Sequence, residues 1–426
     1  MKRLGLFLAL AAIGAPAVGA REARSAPAPA TEVSAEEFAK LKNDFERLVQ
    51  RFEDLAAENA RLREAQAQDR AAVASIQEKR ESAGWTENIR VKGDFRYRYE
   101  NKDVDLPGRS DRNRQRVRAR PAIIARLPAR TEVGFGLATG GADPVSSNQT
   151  LGDGGSSKGI VLDLAYVKWQ PLDDLYLVAG KFKNEMQRTG GHGLLWDSDW
   201  RPEGLELLYR RGIFFGNALG TWLEADGSSG SGEIFAWGAQ GGVDLPVGEG
   251  LKLKAGLSYY DIPVQGENCL FDAGDCFGNS TDVNGNYLFD FEEFNAFAEL
   301  GFSVLDLPAK FFVDYVKNDA ASANDSGYAL GLKLGKAKQQ GSWEAGYVYQ
   351  DLEADAVLGL LTDSDFAGGG TDAKGHKLSA AYALTDAGKV KLTYFATERQ
   401  DSNGVENGGK PYDVDTLQLD FSWKYK

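Results

Sequence analysis

Arg112, Arg114, Arg116, Arg118 and Arg120 stand at every second position of the run 112-RNRQRVRARPAIIAR-126. Successive strand side chains point to opposite faces, so a strand here puts all five guanidinium groups on one side. Asn113, Gln115, Val117, Ala119 and Pro121 take the other. Five cations in one column must face water. The preceding run, 89-IRVKGDFRYRYE-100, repeats the division: Arg90, Lys92, Arg96 and Arg98 lie with Asp94 and Glu100, opposite Ile89, Val91, Phe95, Tyr97 and Tyr99. A sheet charged on one face and aliphatic or aromatic on the other fits an amphipathic sheet of a soluble β-protein. It also fits a transmembrane β-barrel, whose interior is wet and whose exterior is apolar.

The N-terminus bears on the compartment. Lys2 and Arg3 precede the apolar run Leu4 to Ile13 and small residues ending at Val18-Gly19-Ala20, the layout of a signal peptide over residues 1–20. That run is too short to span a bilayer, and no cysteine stands at the cleavage point, so the expectation is an exported chain without a lipid. No later segment holds about 20 uninterrupted apolar residues, which excludes transmembrane helices but not barrel strands of about 10. Cys269 and Cys276 suit an oxidising compartment and are expected to close one small loop as a disulfide. With two His, two Cys, two Met and no CxxCH, no metal or haem enzyme and no cofactor is expected. The net charge is −13 although the opening strands are basic, so the acid collects in the loops after residue 140. Acidic loops repel phosphate, which argues against nucleic acid as a partner.

Residues 34–80 follow a different period. Phe38, Leu41, Phe45, Leu48, Phe52, Leu55, Asn59 and Leu62 alternate at spacings of three and four, and the stripe returns at Val73 and Ile76. Ser34 with Glu37 makes a capping box. A narrow stripe on one helix has nothing to bury against, and Asn59 at an a-type position is a register-fixing residue among identical parallel helices. The expectation is a homo-oligomeric coiled coil, roughly 70 Å long at about 1.5 Å per residue; the alternative is a helix folded back on its own barrel. Residues 21–33, with Ala-Pro repeats, form a linker.

From residue 88 onward, within a barrel domain expected over 85–426, no helical period recurs. About sixteen alternating segments of strand length follow, joined by seven short turns and eight long loops in strict alternation. An even number of strands with tight turns at one rim and long loops at the other describes an all-β transmembrane antiparallel barrel, here preceded by the helical segment. A soluble sandwich has no reason to sort its loops by length.

The runs 91-VKGDFRYRYEN-101, 143-DPVSSNQTLGDG-154, 158-KGIVLDLAYVKWQP-171, 179-AGKFKNE-185 and 196-WDSDWRPEGLEL-207, with the arginine run, resemble the Putative porin family of Gram-negative outer membranes. The resemblance covers roughly residues 85–426. It implies a sixteen-stranded trimeric barrel that passes small hydrophilic solutes, in some members preceded by a periplasmic coiled coil. Two departures stand out: Glu185-Met186 follows Lys183-Asn184 where the family has proline, and the chain ends Trp423-Lys424-Tyr425-Lys426 where barrels usually end on an aromatic residue.

If the N-terminus is periplasmic, Arg112 lies near the outer mouth and Arg120 nearer mid-membrane. Lys181 and Lys183 on the fifth strand, and Lys389 and Lys391 on the fifteenth, add cations if they face the pore. Gly134 and Gly136 on the third strand are expected to leave room for the guanidinium groups. Arginine keeps its charge and its fork binds carboxylate and phosphate, so the ladder favours anions. The alternative is that lumenal carboxylates such as Asp94, Glu100, Glu132, Asp163 and Glu206 neutralise it. The third long loop, 185-EMQRTGGHGLLWDSDWR-201, is expected to form a constriction lined by Arg188, His192, Trp196, Asp197, Asp199 and Trp200. In 282-DVNGNYLFDFEE-293, Asp282, Asn284, Asn286, Asp290 and Glu293 take the places of Ca2+ ligands in an EF-hand-like loop, but Tyr287 stands where glycine is needed. An Asx-rich turn is the default reading.

The function expected is a passive channel in the outer membrane, among lipid and lipopolysaccharide, for small hydrophilic solutes and preferentially anions. A trimer with its coiled coil in the periplasm completes the picture. One rival is a tether joining barrel to cell wall through the coiled coil. The other is a barrel hydrolase, for which His192 and His376 are the only histidine bases; neither lies in a nucleophile motif, so no catalytic residue is assigned.

Overall fold

The computed structural model describes residues 35–82, 85–225 and 232–425. The signal peptide, the linker and the Ser34 cap lie outside them. The chain divides into two units after Ser82.

The first contains one helix, Ala35–Ser82, of 48 residues. Straight-chain helix formers and alanine dominate it, and neither glycine nor proline interrupts it. Leu48, Leu55 and Leu62 are 58%, 55% and 59% exposed, so this part of the apolar stripe stands uncovered in the single chain.

The second unit is a closed barrel of sixteen antiparallel strands. The first eight are Ile89–Val104, Arg112–Leu127, Thr131–Thr139, Ile160–Leu172, Leu175–Lys181, Glu203–Arg211, Phe214–Glu224 and Ile234–Gly248. The ninth to sixteenth are Leu251–Ile262, Phe291–Val304, Leu307–Asn318, Ser326–Gly335, Trp343–Leu352, Ala373–Ala383, Gly388–Arg399 and Tyr412–Tyr425. Each pairs with its sequence neighbours, and the first closes on the last from Gly93↔Tyr425 to Val104↔Val414. Closure removes the sheet edges, so no row of unpaired backbone groups meets apolar surroundings. The two-residue strand Gln149–Thr150 lies in the second long loop and pairs with Arg116 and Val117 of the second strand.

Short and long connections alternate as the sequence indicates, except that the turn 336–342 has the same length as the loops 105–111 and 319–325. At one short turn Leu305 and Asp306 both take positive φ, 50° and 63°, which matches the strand twist of a two-residue hairpin. The outward faces carry exposed Val91, Phe95, Ile123, Phe135, Leu205, Leu257, Phe311 and Leu392. Exposed Trp169, Trp343, Tyr382, Trp423 and Tyr425 ring the short-turn rim, and Trp222, Trp237, Tyr315 and Tyr328 sit toward the other. Tyr425 covers Gly93 of the first strand, where a Cβ would collide with its ring. The last aromatic residue of the chain therefore packs across the seam, one position before the terminal lysine.

The inner face is not simply wet. Three long loops, with Val145 of the second, collapse against it and form one apolar core with the wall. The third loop contributes Phe182, Met186, Leu194, Leu195, Trp196 and Trp200. The fifth, between Ile262 and Phe291, contributes Val264, Leu270, Tyr287 and the disulfide-bonded Cys269 and Cys276. The seventh, between Leu352 and Ala373, contributes Ala356, Val357, Leu358, Leu360 and Leu361. Wall residues Leu219, Ile262, Phe291, Phe312 and Val316 complete it.

Leu257 stands on the outward face in mid-strand and is 69% exposed. Leu257→Arg is expected to destabilise the barrel by about 2–4 kcal/mol in a lipid bilayer, and Leu257→Phe to be near neutral. Reversible unfolding in lipid vesicles measures both, and an equal cost for the two would refute the assignment of that face to lipid.

Candidate functional site

The alternation of the first two strands puts Asp94, Arg96, Arg98 and Glu100 beside Arg114, Arg116, Arg118 and Arg120 on the inner face, in the register Glu100↔Arg114 to Asp94↔Arg120. Nearly every guanidinium of this column finds a carboxylate. Arg120 lies 2.9 Å from Asp94 and 2.6 Å from Asp199, and Arg118 lies 2.9 Å and 3.0 Å from the same two groups. Glu100, 1% exposed, is bonded by Arg114 and lies 3.4 Å from Arg116. Arg98, 3% exposed, forks onto Asp420 of the sixteenth strand, at 2.7 Å from Nε and 3.0 Å from Nη2. Its Nη1 donates to Asp365 of the seventh loop at 2.9 Å. Arg96 donates to Asn148 at 2.6 Å. Arg112, at the outer end, is exposed and has no ion pair among the described residues.

Asp199 is the group that the third loop brings to the column. The loop leaves the wall at Phe182, crosses the lumen and returns at Glu203. On the far side Gly190 N donates to Glu299, Lys333 Nζ donates to Gly190 O, and the His192 ring meets Gln350 at 2.5 Å. Gln187 N donates to Gln240. On the near side Arg201 pairs with Asp163 at 3.1 Å. The seventh loop is stitched to the third: Asp197 N donates to Leu361 O, Ser364 N to the Asp197 carboxylate, and Asp363 N to Gly193 O. Asp363 also holds Lys377 at 2.8 Å.

Two cavities meet at this crossing. One of about 820 Å³ opens on the short-turn side and is lined by Lys92, Lys183 and Lys424 among others. One of about 630 Å³ lies on the long-loop side, where the fifth strand stops at Lys181. Asp163, Asp199 and Arg201 line both. These three residues form the partition between them.

Burial alone would raise the Asp199 carboxyl, but Arg118 and Arg120 hold it well below the usual range. Asp197 has no such cation: burial, then Asp363 and Asp199, push it up to about 7.

Several expectations are corrected. His192 and Trp196 do not line an eyelet; both are buried, the first against Gln350 and the second in the loop core, because a loop crossing a lumen needs anchors on the wall. Arg188 bonds the carbonyl of Gly191 in its own loop. Trp200 is buried and shows an edge to the outer cavity. Lys181 shares the face of exposed Leu177 and pairs with Glu203 at 2.5 Å, on the outward side. Gly134 accommodates the ring of Tyr166, not a guanidinium, and Gly136 lies opposite Ala122. Lys389 and Lys391 share the inner face with buried Thr393 and Phe395, and Arg90 pairs loosely with Glu132 at 3.8 Å. In the 282–293 loop, Asp282 accepts from Asn284 N and Asn286 N, an Asx turn. Asp290 accepts from Gln265 N and Glu293 from Leu358 N, so the three carboxylates are spent on separate backbone groups. Asn284 and Asn286 remain on the turn itself. Sequence reasoning missed the seventh loop, whose apolar run 356-AVLGLL-361 was the available signal.

Residues 106–270 and 277–425 match the model of a family described as Putative porin. The chain belongs to this porin family. As a porin-family barrel it is also similar to OprB of Pseudomonas putida in a high-pH structure, with a TM-score of 0.53 at 13% identity, covering 80% of this chain and 95% of that one. OmpF of Salmonella typhi, solved with daunomycin, gives 0.49 at 10% identity, covering 79% and 97%. OmpT of Vibrio cholerae, an outer membrane protein solved with its loop L8 deleted, gives 0.45 at 12% identity, covering 79% and 100%. At such identity the likeness to OprB is one of fold. No curated protein matches the chain.

The raised Asp197 fixes the sign of one pH effect. A carboxyl whose folded value lies above its ordinary 3.8 favours the folded state when neutral. That contribution is present below about pH 4 and is lost as pH rises through about 7. Asp197→Asn is expected to raise the urea midpoint at pH 8 and to leave it unchanged at pH 3.5. An equal shift at both values would refute the burial of an uncompensated charge.

Proposed function

We propose that this porin-family barrel is a passive diffusion channel of a Gram-negative outer membrane for small hydrophilic solutes, surrounded by lipid and lipopolysaccharide. What carries the reading is the partition of Asp163, Asp199 and Arg201, set by an infolded loop between two cavities of about 820 and 630 Å³ in an apolar-faced barrel. Such a loop narrows the path and places fixed charge where a solute loses its hydration. A hydrolase has little support. His192 and His376 are hydrogen-bonded to Gln350 and Tyr347, not to a serine.

The selectivity we infer differs in origin from a bare arginine ladder. Asp94, Glu100, Asp199, Asp365 and Asp420 compensate the column, which then acts as a transverse field. A residual anion preference comes from the cavity on the short-turn side, where seven cationic side chains face five carboxylates. Lys92, Lys183 and Lys424 there have no ion pair among the described residues.

Planar-bilayer recording in a salt gradient tests both levels. A stepwise conductance with a reversal potential on the anion side is expected, and Asp199→Asn moves it further toward anions. Absence of conductance would sink the channel, and cation preference would sink the charge assignment.

The uncovered Leu48, Leu55 and Leu62 support a parallel coiled coil of three copies, placed in the periplasm and able to reach the cell wall. Replacing all three with Ser is expected to abolish cross-linking between the helices of the full-length protein. Retention of the cross-links would overturn the coiled coil.

A further inference from the structure

Above the compensated part of the column, the outer end of the lumen wall carries cations with almost no counter-charge. Lys102 and Arg112 stand directly opposite each other in the register of the first two strands, on the inner face. Like charges directly opposite on neighbouring strands destabilise a sheet, so the pairing calls for an anion between them. The charged groups that act most strongly on the Lys102 amine are Arg399, Arg112 and Arg114, against one carboxylate, Glu100, while Asp103, Asp105, Asp111 and Asp415 cluster with one another at the same end of these strands. Glu100 is already held by Arg114, Arg116 and Arg98. Arg109 adds a further cation beside Arg112. Neither Lys102 nor Arg112 has a hydrogen bond or ion pair to its side chain among the described residues.

The seventh loop shapes this place. Arg399 donates to the carbonyls of Ala367, Gly369 and Thr371 and so fixes the last turn of the loop beside the cluster. Gly368, at φ 86°, lies directly against the Lys102 amine, where any Cβ would meet Nζ. The backbone of the loop thus packs directly against the amine.

We propose that Lys102, Arg112, Arg114 and Arg399 form a capture site at the outer mouth for a small soluble solute with two or more carboxylate or phosphate charges. A single negative charge cannot compensate the group, because two of its cations are unpaired and stand face to face. The guanidinium of Arg112 binds such an oxyanion through its fork, and Lys102 acts as a point charge behind it. The site lies at the long-loop end of the same strand column whose other end, Arg118 and Arg120, holds Asp199 of the partition, so it concentrates a multiply charged solute on the wall that leads to the passage. This rests on the channel reading and assigns it a substrate class.

The test uses the full-length protein in planar bilayers carrying a chloride current. Succinate or inorganic phosphate is added against acetate at equal ionic strength. Succinate and phosphate are expected to block the chloride current at concentrations where acetate does not. Lys102→Gln with Arg112→Gln is expected to raise the half-blocking concentration about tenfold for each cation removed, the loss of one charge-assisted contact. Arg112→Gln alone, at an exposed rim position, repeats the measurement if the double variant does not assemble. Equal block by acetate, or block unchanged in the variants, overturns the site while the chloride current leaves the channel standing. No chloride current in the parent protein overturns the channel reading and the site with it.

Discussion

The ion pairs of Arg98 tie together parts of the barrel that are far apart in sequence. One guanidinium holds Asp420 of the last strand across the seam and Asp365 of the seventh loop in the lumen. A buried pair of this kind gains little net stability, because desolvation offsets most of the attraction. Its worth is in position: the planar fork donates to carboxylates along a few fixed directions in its own plane. Asp199 repeats the device on Arg118 and Arg120. The third and seventh loops are thus located by the same inward-facing arginine wall, and the passage beside them inherits its geometry.

Charge alone could not keep those loops inside. Each also brings aliphatic and aromatic side chains that close one core against the inner wall, with Phe182, Leu194 and Trp196 from the third loop and Val357, Leu358 and Leu361 from the seventh. A barrel of this size would otherwise enclose water. The interior is therefore divided into an apolar side, where loops pack on the wall, and a charged side, where the arginines and their carboxylates line the cavities.

The strands were legible because lipid reverses the usual pattern. An outward row such as Leu417, Leu419, Phe421, Trp423 and Tyr425 and an inward row such as Gln418 and Asp420 differ too sharply for either to be misplaced. The third loop was legible from its length and position, and Asp199 with it. The seventh was not. It reads as a polar connection until 356-AVLGLL-361 is noticed, and a run so apolar does not rest on a water-exposed loop. His192 and Trp196 misled for a related reason: ring type says what a side chain can do at a pore, and burial decides whether it is there.

By itself the sequence determined the sixteen-stranded alternation, the sorted loops, the arginine face and the separate helical segment with its apolar stripe. These are local properties, set by side-chain period and by which residues tolerate lipid or water. Only the tertiary structure decided which carboxylates meet the arginines, because Asp199, Asp365 and Asp420 come from two loops and a strand distant in the chain. The same folding left Lys102 and Arg112 unpaired at the mouth. Charge compensation depends on distances of a few ångströms, and those are fixed only when the barrel closes and its loops turn inward.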